Sequence, residues 1–200
     1  MLLYHGTTDE YLDSLVCKTN GIDIKNSKPF LDFGPGFYTN LSKPNAAKYA
    51  KRQAQKHNTR YPDAIVNACL LTYEFDEVAL KKYDGILYRC FDSPAEEWKA
   101  FVLANRIQVD MYRPAENNLD ARYGIVRGPI ADGQRSIISN YAFNISRGLL
   151  RIEDVAVTDL IPAAPYHCEY QVSFHENSIA NSFLSLIDCD IISVERGRTH

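Results

Sequence analysis

The sequence predicts an α+β fold. Segments with strand character stand in several separated places, and the helical segments between them do not alternate with strands one for one, which disfavours a doubly wound parallel sheet. A length of 200 residues with 46% apolar content fits a single domain. We place that domain at residues 1–196, with a frayed tail at 197–200.

The elements follow in order. "LLYH", residues 2–5, reads as a short strand ended by Gly6. "DEYLDSLVCKT" brings Tyr11, Leu12, Leu15 and Val16 to helical spacing, and Gly21 closes it. Ser42 can cap the next helix, with Pro44 in its first turn. That helix carries Ala46, Ala47, Ala50 and Ala54 on one face, small enough to sit close on a sheet. "DAIVNACLLTYEFD", residues 63–76, is β-rich. "SPAEEWKAFVLANR" starts a helix with Ser93 as cap, Pro94 first and Glu96 as the capping-box acid; Trp98, Phe101, Val102 and Asn105 share its inner face. Residues 123–127 form a strand before a Gly-Pro turn, and 134–151 lean helical. "EYQVSFH" alternates as a strand, "NSIANSFLSLI" reads as a short helix and "DIISVER" as the last strand. No repeat or low-complexity segment is visible.

Composition excludes several classes. Net charge is −3, so the footprint of a dedicated duplex-DNA binder is missing. The longest basic run is the helix face of Lys48, Lys51, Arg52 and Lys56, which by itself reads as a solvated surface. The five cysteines show no C-x-x-C spacing and read as buried thiols of a reducing cytoplasm. His167, Cys168, His175 and Cys189 match no common zinc spacing. No apolar run reaches the ~18 residues of a membrane span, and "MLLYHGTTDE" lacks the pattern of a secretory signal. The expectation is a cytoplasmic protein with no metal and no membrane association.

One stretch asks for more. "DFGPGFYTN", residues 32–40, puts two glycines and a proline directly before two aromatic rings. It is not a dinucleotide fingerprint: Pro35 separates the glycines, Thr39 takes the third glycine's place, and no βαβ unit surrounds it. It holds no P-loop lysine. Taken with "LYHGT" before it and "EEWKAFVLANR", "VRGPIADG" and "QVSFHENSI" after it, the stretch resembles the ADP-ribosyltransferase superfamily. The branch is the one that includes diphtheria toxin and the poly-ADP-ribose polymerases, and the nearest likeness is to an uncharacterised bacterial family within it. The resemblance implies split, mostly antiparallel sheets flanked by helices. It also implies NAD as the ADP-ribose donor.

What the resemblance implies for each residue can be set against chemistry. Cleavage at the nicotinamide–ribose bond passes through an oxocarbenium-like state, so the protein must hold the nicotinamide flat and fix the riboses. His5 takes the place of the histidine that bonds the adenine-side ribose, and an imidazole can give or accept one directed bond. Gly6 takes the place of the glycine whose backbone meets the nicotinamide amide, where a Cβ would intrude. Tyr38 takes the place of the stacking tyrosine, whose offset contact with a flat ring adds ~1 kcal/mol beyond burial. Thr7, Gly36 and Phe37 line the same NAD-binding segments, with Phe37 turned toward the core as Tyr38's neighbour on an extended chain. The third position, usually glutamate, falls on Gln171, with Glu169 two residues away on the same strand face. An amide accepts the hydroxyl bond without bringing charge; Glu169 could supply charge from beside it. Asp132, in "GPIADG", either contacts substrate or caps a helix.

The expected activity is mono-ADP-ribosylation of a protein or nucleic-acid acceptor, by an enzyme of the kind that small bacterial toxins represent. An antitoxin partner follows from the resemblance alone. Plain NAD hydrolysis is the alternative, as is a degenerate NAD-binding or interaction module. Taken singly, His5 and Tyr38 are ordinary core residues, and Trp98 and Phe101 are most simply core.

Overall fold

The computed structural model describes residues 1–16, 21–28, 30–83, 85–107, 116–131, 140, 143–144, 147–150 and 169–194. In chain order its elements are β1 (Leu2–Thr8), α1 (Leu12–Val16), β2 (Phe37–Asn40), α2 (Lys43–Arg60), β3 (Ala68–Phe75), α3 (Glu77–Lys82), β4 (Tyr88–Cys90), α4 (Glu96–Ile107), β5 (Ile125–Pro129), β6 (Tyr170–Phe174), α5 (Asn177–Phe183) and β7 (Leu184–Ile192), with 3-10 turns at Asp9–Tyr11 and Ile24–Asn26. The class is α+β with mostly antiparallel strand pairing, as the scattered strand segments predict. Two compact units are present. One comprises Met1–Asp23, Tyr38–Asp84 and Asn177–His200, the other Ile24–Phe37 and Gly85–Glu176.

In the first unit β1 lies between β2 and β3, and β7 pairs with β3 on its other edge. All these pairings are antiparallel. Leu3, Ala68, Cys69, Leu70 and Leu71 are buried in this sheet, and each leucine taken out of water contributes roughly 2 kcal/mol. Helix α2 is capped by Ser42, whose side chain accepts from the Asn45 amide. It lays Ala46, Ala50 and Ala54 on the strands. The approach is very close at Gly6, where a Cβ would lie 2.2 Å from the Ala46 carbonyl oxygen. Asparagine side chains hold the connections. Asn58 gives its amide hydrogen to the Val66 carbonyl and accepts from the Val66 amide. Asn181 does the same for Ile22.

In the second unit β4 and β5 run parallel, and β5 and β6 antiparallel with Gly128 opposite Gln171. Helix α4 buries Trp98, Phe101, Val102 and Asn105, the face its spacing predicts, and also Lys99, Leu103 and Ala104, which that spacing leaves out. The Trp98 indole donates to the Pro129 carbonyl at 3.2 Å. Phe33, Phe91 and Phe101 form an aromatic cluster with centroids 5.1 to 6.3 Å apart.

Several boundaries differ from expectation. β1 continues through Gly6 to Thr8, because ladder pairing with β3 persists through Thr8↔Ala68 and a glycine there lets α2 approach. The 63–76 segment becomes a strand only from Ala68; Val66 before it is tied to Asn58 instead of to a neighbouring strand. The Asp9–Tyr11 stretch is a tight 3-10 turn, since Asp9 is held by Asn67 through both its carboxylate oxygens. α4 starts at Glu96, beyond Ser93 and Pro94, with the Ala95 carbonyl accepting from the Lys99 amide. α5 stops at Phe183, and β7 begins at Leu184, well before residue 190, because pairing with β3 captures Leu184–Ile192. A bulge opposite Thr72 and Tyr73 leaves Ile187 as the extra residue. α3 and β4 have no counterpart in the sequence reading; Asp76 caps α3 through the Val78 and Ala79 amides. Cys69 is buried as expected, but Cys90 is exposed and Cys189 half-buried. Cys17, Cys168, His167 and most of 134–151 lie outside the described residues, as does the tail.

Candidate functional site

In the first unit the strands bring His5 and Tyr38 together. Tyr4 sits opposite Asn40 where β1 meets β2. One residue on, the His5 Nδ1 lies 2.7 Å from the Tyr38 carbonyl oxygen. A carbonyl only accepts, so Nδ1 carries the proton. His5 and Tyr38 are both half-buried, while Phe37 and Thr39 are buried. The alternation expected of an extended "FYTN" is therefore present. Gly6 and Thr7 follow on β1, opposite Leu70 and Cys69. Gly6 has a structural use of its own, since the place of its missing side chain is occupied by α2.

In the second unit Gln171 stands on β6, 8% exposed, with its amide nitrogen 2.7 Å from Asp32 Oδ2. The same oxygen accepts from the Ala131 amide at 3.0 Å. Oδ1 accepts from Arg106 Nε at 2.8 Å and from its terminal nitrogen, which also donates to the Ala131 carbonyl. Asp32 and Arg106 are both largely buried. A carboxylate only accepts, so Asp32 fixes the orientation of the Gln171 amide: NH2 toward Asp32, Oε1 away from it. Among the described residues nothing donates to that Oε1. Breaking such a buried pair by removing one partner costs about 3–5 kcal/mol. Glu169, the other candidate for the third position, is half-buried, and its carbonyl accepts from Ile130. Asp132 lies outside the described residues.

The residues between Asp32 and Phe37 are held by this unit. Gly34 has φ +88°, and a Cβ on it would meet the Asn118 carbonyl at 2.6 Å. Asn118 in turn clamps Tyr123 by donating to its carbonyl and accepting from its amide. Gly36 passes 2.8 Å, measured from a notional Cβ, from the Phe174 carbonyl. Phe30, at the loop entrance, has φ +63° and is 47% exposed, a backbone conformation an aromatic residue rarely takes. So the glycines serve close contacts within the loop's own unit, and the loop delivers Phe37 and Tyr38 to β2.

Two chemically suggestive pairs prove sealed or inert. Ser173 Oγ lies 2.8 Å from His175 Nε2, the spacing of a nucleophile and its base. Both are buried, at 0% and 4% exposure, so no substrate reaches them. Burial pulls the His175 imidazole down to about 4, against the opposing bond to the Pro35 carbonyl. The neutral ring donates from Nδ1 to Pro35 and accepts from Ser173. On β3 and β7 the Cys69 and Cys189 sulfurs are 3.6 Å apart. Burial, then Cys189, pushes the Cys69 thiol up to about 12, which leaves it protonated and unreactive. Among the described residues no cluster of His, Cys, Asp and Glu could hold a metal ion. No described helix is long and apolar enough to cross a membrane.

Asp32, Arg106 and Ser173 are not singled out by the sequence, and His175 enters there only as a rejected metal ligand. Asp32 lay inside the stretch that drew attention, but nothing local says that an Asp before a Gly-Pro-Gly turn reaches a helix end 74 residues away. Gln171, Ser173 and His175 share a face by alternation, and that polar i, i+2, i+4 run on a strand was the available signal.

The class of protein so defined is an α+β protein with a histidine–tyrosine pair in one unit and a buried carboxylate–guanidinium–amide cluster in the other. The chain belongs to the family described as "Protein of unknown function (DUF3990)", whose profile matches residues 1–184. No curated protein matches it, and no solved structure matches it.

Proposed function

We propose that the protein is a mono-ADP-ribosyltransferase that cleaves NAD at the nicotinamide–ribose bond. The observation that carries the reading is the contact between His5 and the Tyr38 carbonyl. Two motif residues separated by 33 positions meet on adjacent strands, with the imidazole proton fixed on Nδ1. In this reading His5 Nε2 receives a ribose hydroxyl, the Tyr38 ring stacks on nicotinamide, and the Gly6 and Thr7 backbone lines the same segment. Gly36 and Phe37 set the entry of Tyr38. Gln171 Oε1 receives the 2′-hydroxyl of the nicotinamide-side ribose, oriented by Asp32. Glu169 supplies charge to the acceptor or the sugar. The split-sheet arrangement of the superfamily belongs to the same proposal, as do a bacterial toxin role with an antitoxin partner and a cytoplasmic location.

A second reading has one observation in its favour. Gln171 is uncharged where the superfamily uses glutamate, and the nearest carboxylate, Asp32, is already paired with Arg106. That arrangement also suits a module that binds NAD without cleaving it. One experiment separates the readings: incubation with NAD labelled in the adenylate part, with and without lysate protein and RNA, following nicotinamide and label. Transfer of label supports the transferase and names its acceptor class. Nicotinamide release without transfer assigns NAD hydrolysis, saturable binding without release assigns the silent module, and no binding at millimolar NAD overturns both readings.

A further inference from the structure

Helix α2 presents a face that the NAD reading leaves unused. Its 18 residues contain Lys43, Lys48, Lys51, Arg52, Lys56 and Arg60 and not one carboxylate, in a chain whose net charge is −3. The buried alanines 46, 50 and 54 occupy one side. Lys48, Lys51, Arg52, Lys56 and Arg60 are exposed on the side away from them. Lys43 pairs with Asp190 at 3.1 Å. None of the other five cations has an ion-pair partner among the described residues. Lys48, Arg52, Lys56 and Arg60 recur every fourth residue, a step of about 6 Å along the axis, comparable with the step between neighbouring phosphates of an unstacked strand.

Aromatic rings accompany the cations. Tyr49 and Tyr61 are 43% and 47% exposed. The Arg52 guanidinium sits 5.8 Å from the Tyr49 ring centre, and Arg60 sits 5.3 Å from that of Tyr61. A row of unneutralised cations interleaved with flat, accessible rings is the surface that binds single-stranded nucleic acid, where phosphates meet the charges and bases stack on the rings. A membrane-surface helix would instead turn its apolar side outward, and here that side is buried on the sheet.

We infer that the outward face of α2 is a docking surface for a single-stranded polynucleotide, held through its phosphates and by base stacking on Tyr49 and Tyr61. The contacts invoked are to phosphates and base planes, which the two nucleic acids share, so RNA and DNA bind alike. The inference does not rest on NAD chemistry. If both hold, the surface gives the enzyme a nucleic-acid acceptor.

The test is fluorescence anisotropy with labelled oligo-U and oligo-dT of about 20 nucleotides, the matching duplex, and vesicles of anionic phospholipid. With about four phosphates neutralised, log K falls with log salt at a slope of about −3, roughly fifty-fold between about 50 and 200 mM. The triple charge reversal Lys48→Glu, Arg52→Glu, Lys56→Glu abolishes binding while circular dichroism and melting stay unchanged, since all three side chains are exposed. Tyr49→Ala with Tyr61→Ala lowers affinity for the single strands at least about ten-fold and leaves the duplex unaffected. No binding at low salt, about 50 mM, overturns the inference. So does undiminished binding by the charge-reversed variant, equal affinity for duplex, a large preference for one sugar, or tighter binding to the vesicles.

Discussion

Gln171→Glu tests the buried cluster most directly, because it sets a second carboxylate against Asp32. The new carboxylate would stand where an amide nitrogen now lies 2.7 Å from Asp32 Oδ2. Two charges about 4 Å apart at an effective dielectric constant near about 20 repel by about 4 kcal/mol. Arg106, already engaged by Asp32, offsets part of this and leaves a loss of about 2–3 kcal/mol. The pair can escape by taking up a proton, so the folded-state pKa of the introduced carboxyl rises above its unfolded value of about 4.3. Between those two values the folded state holds more protons than the unfolded one, and stability falls as pH rises through the window. Urea unfolding at about pH 5 and about pH 8, with the unaltered protein alongside, reads the effect. The variant should lie about 1 kcal/mol below the parent at the lower pH, where the unfolded carboxyl is already mostly ionised, and about 2–3 kcal/mol below it at the higher. Adding Asp32→Asn should recover about half of that loss, because the new side-chain amide at position 32 can donate to the introduced carboxylate while its oxygen keeps Arg106. A Gln171→Glu protein as stable as its parent at the higher pH, with no pH dependence of the difference, refutes the placement of Asp32 against Gln171.

Other expectations rest on the same packing. His175, pulled down to about 4 by burial, stays neutral in the folded protein while the unfolded chain protonates near about 6.5, so stability is lost as pH falls from about 6.5 toward 4, by about 2 kcal/mol at about pH 5; an NMR titration in which its ring protons shift at the ordinary histidine value would contradict this. Protonation there turns the Ser173 hydroxyl to the Val126 carbonyl, 3.2 Å away, so the loss reflects desolvation more than a missing bond. Gly6→Ala forces α2 off β1 and should destabilise by about 3 kcal/mol, read as a fall in urea midpoint; an unchanged midpoint refutes the contact with Ala46. For NAD, Tyr38→Ala should weaken binding in calorimetry at least about five-fold, whereas Gln171→Ala should spare binding and slow nicotinamide release; if Glu169→Ala is the damaging change, the third position belongs to Glu169.

Much of the fold was legible because its signals are local. The Ser42 cap with Pro44, the alanine stripe of α2 and the aromatic face of α4 all depend on residues within one helix. What escaped was decided at long range. β7 starts at Leu184 because β3 offers pairing partners, which a window over "NSFLSLI" cannot see. The same holds for the site. "DFGPGFYTN" announced itself by its glycines, yet their positions answer to Asn118 and to the Phe174 carbonyl, and the most connected side chain in the stretch is Asp32. The meeting of His5 with Tyr38 could be expected only from the joint motif, since either residue alone reads as core.

Three loops of this protein are fastened by the same small device, an asparagine whose side chain both gives to and takes from one residue's main chain: Asn58 at Val66, Asn118 at Tyr123, Asn181 at Ile22. Such an amide is slowly hydrolysed in water to an acid, which keeps the acceptor and loses the donor. Each fastener would then turn a negative oxygen toward a carbonyl. Held at both ends of its amide, however, each of these side chains is poorly placed for attack by the following main-chain nitrogen, so these connections should be among the last to be lost as the purified protein ages.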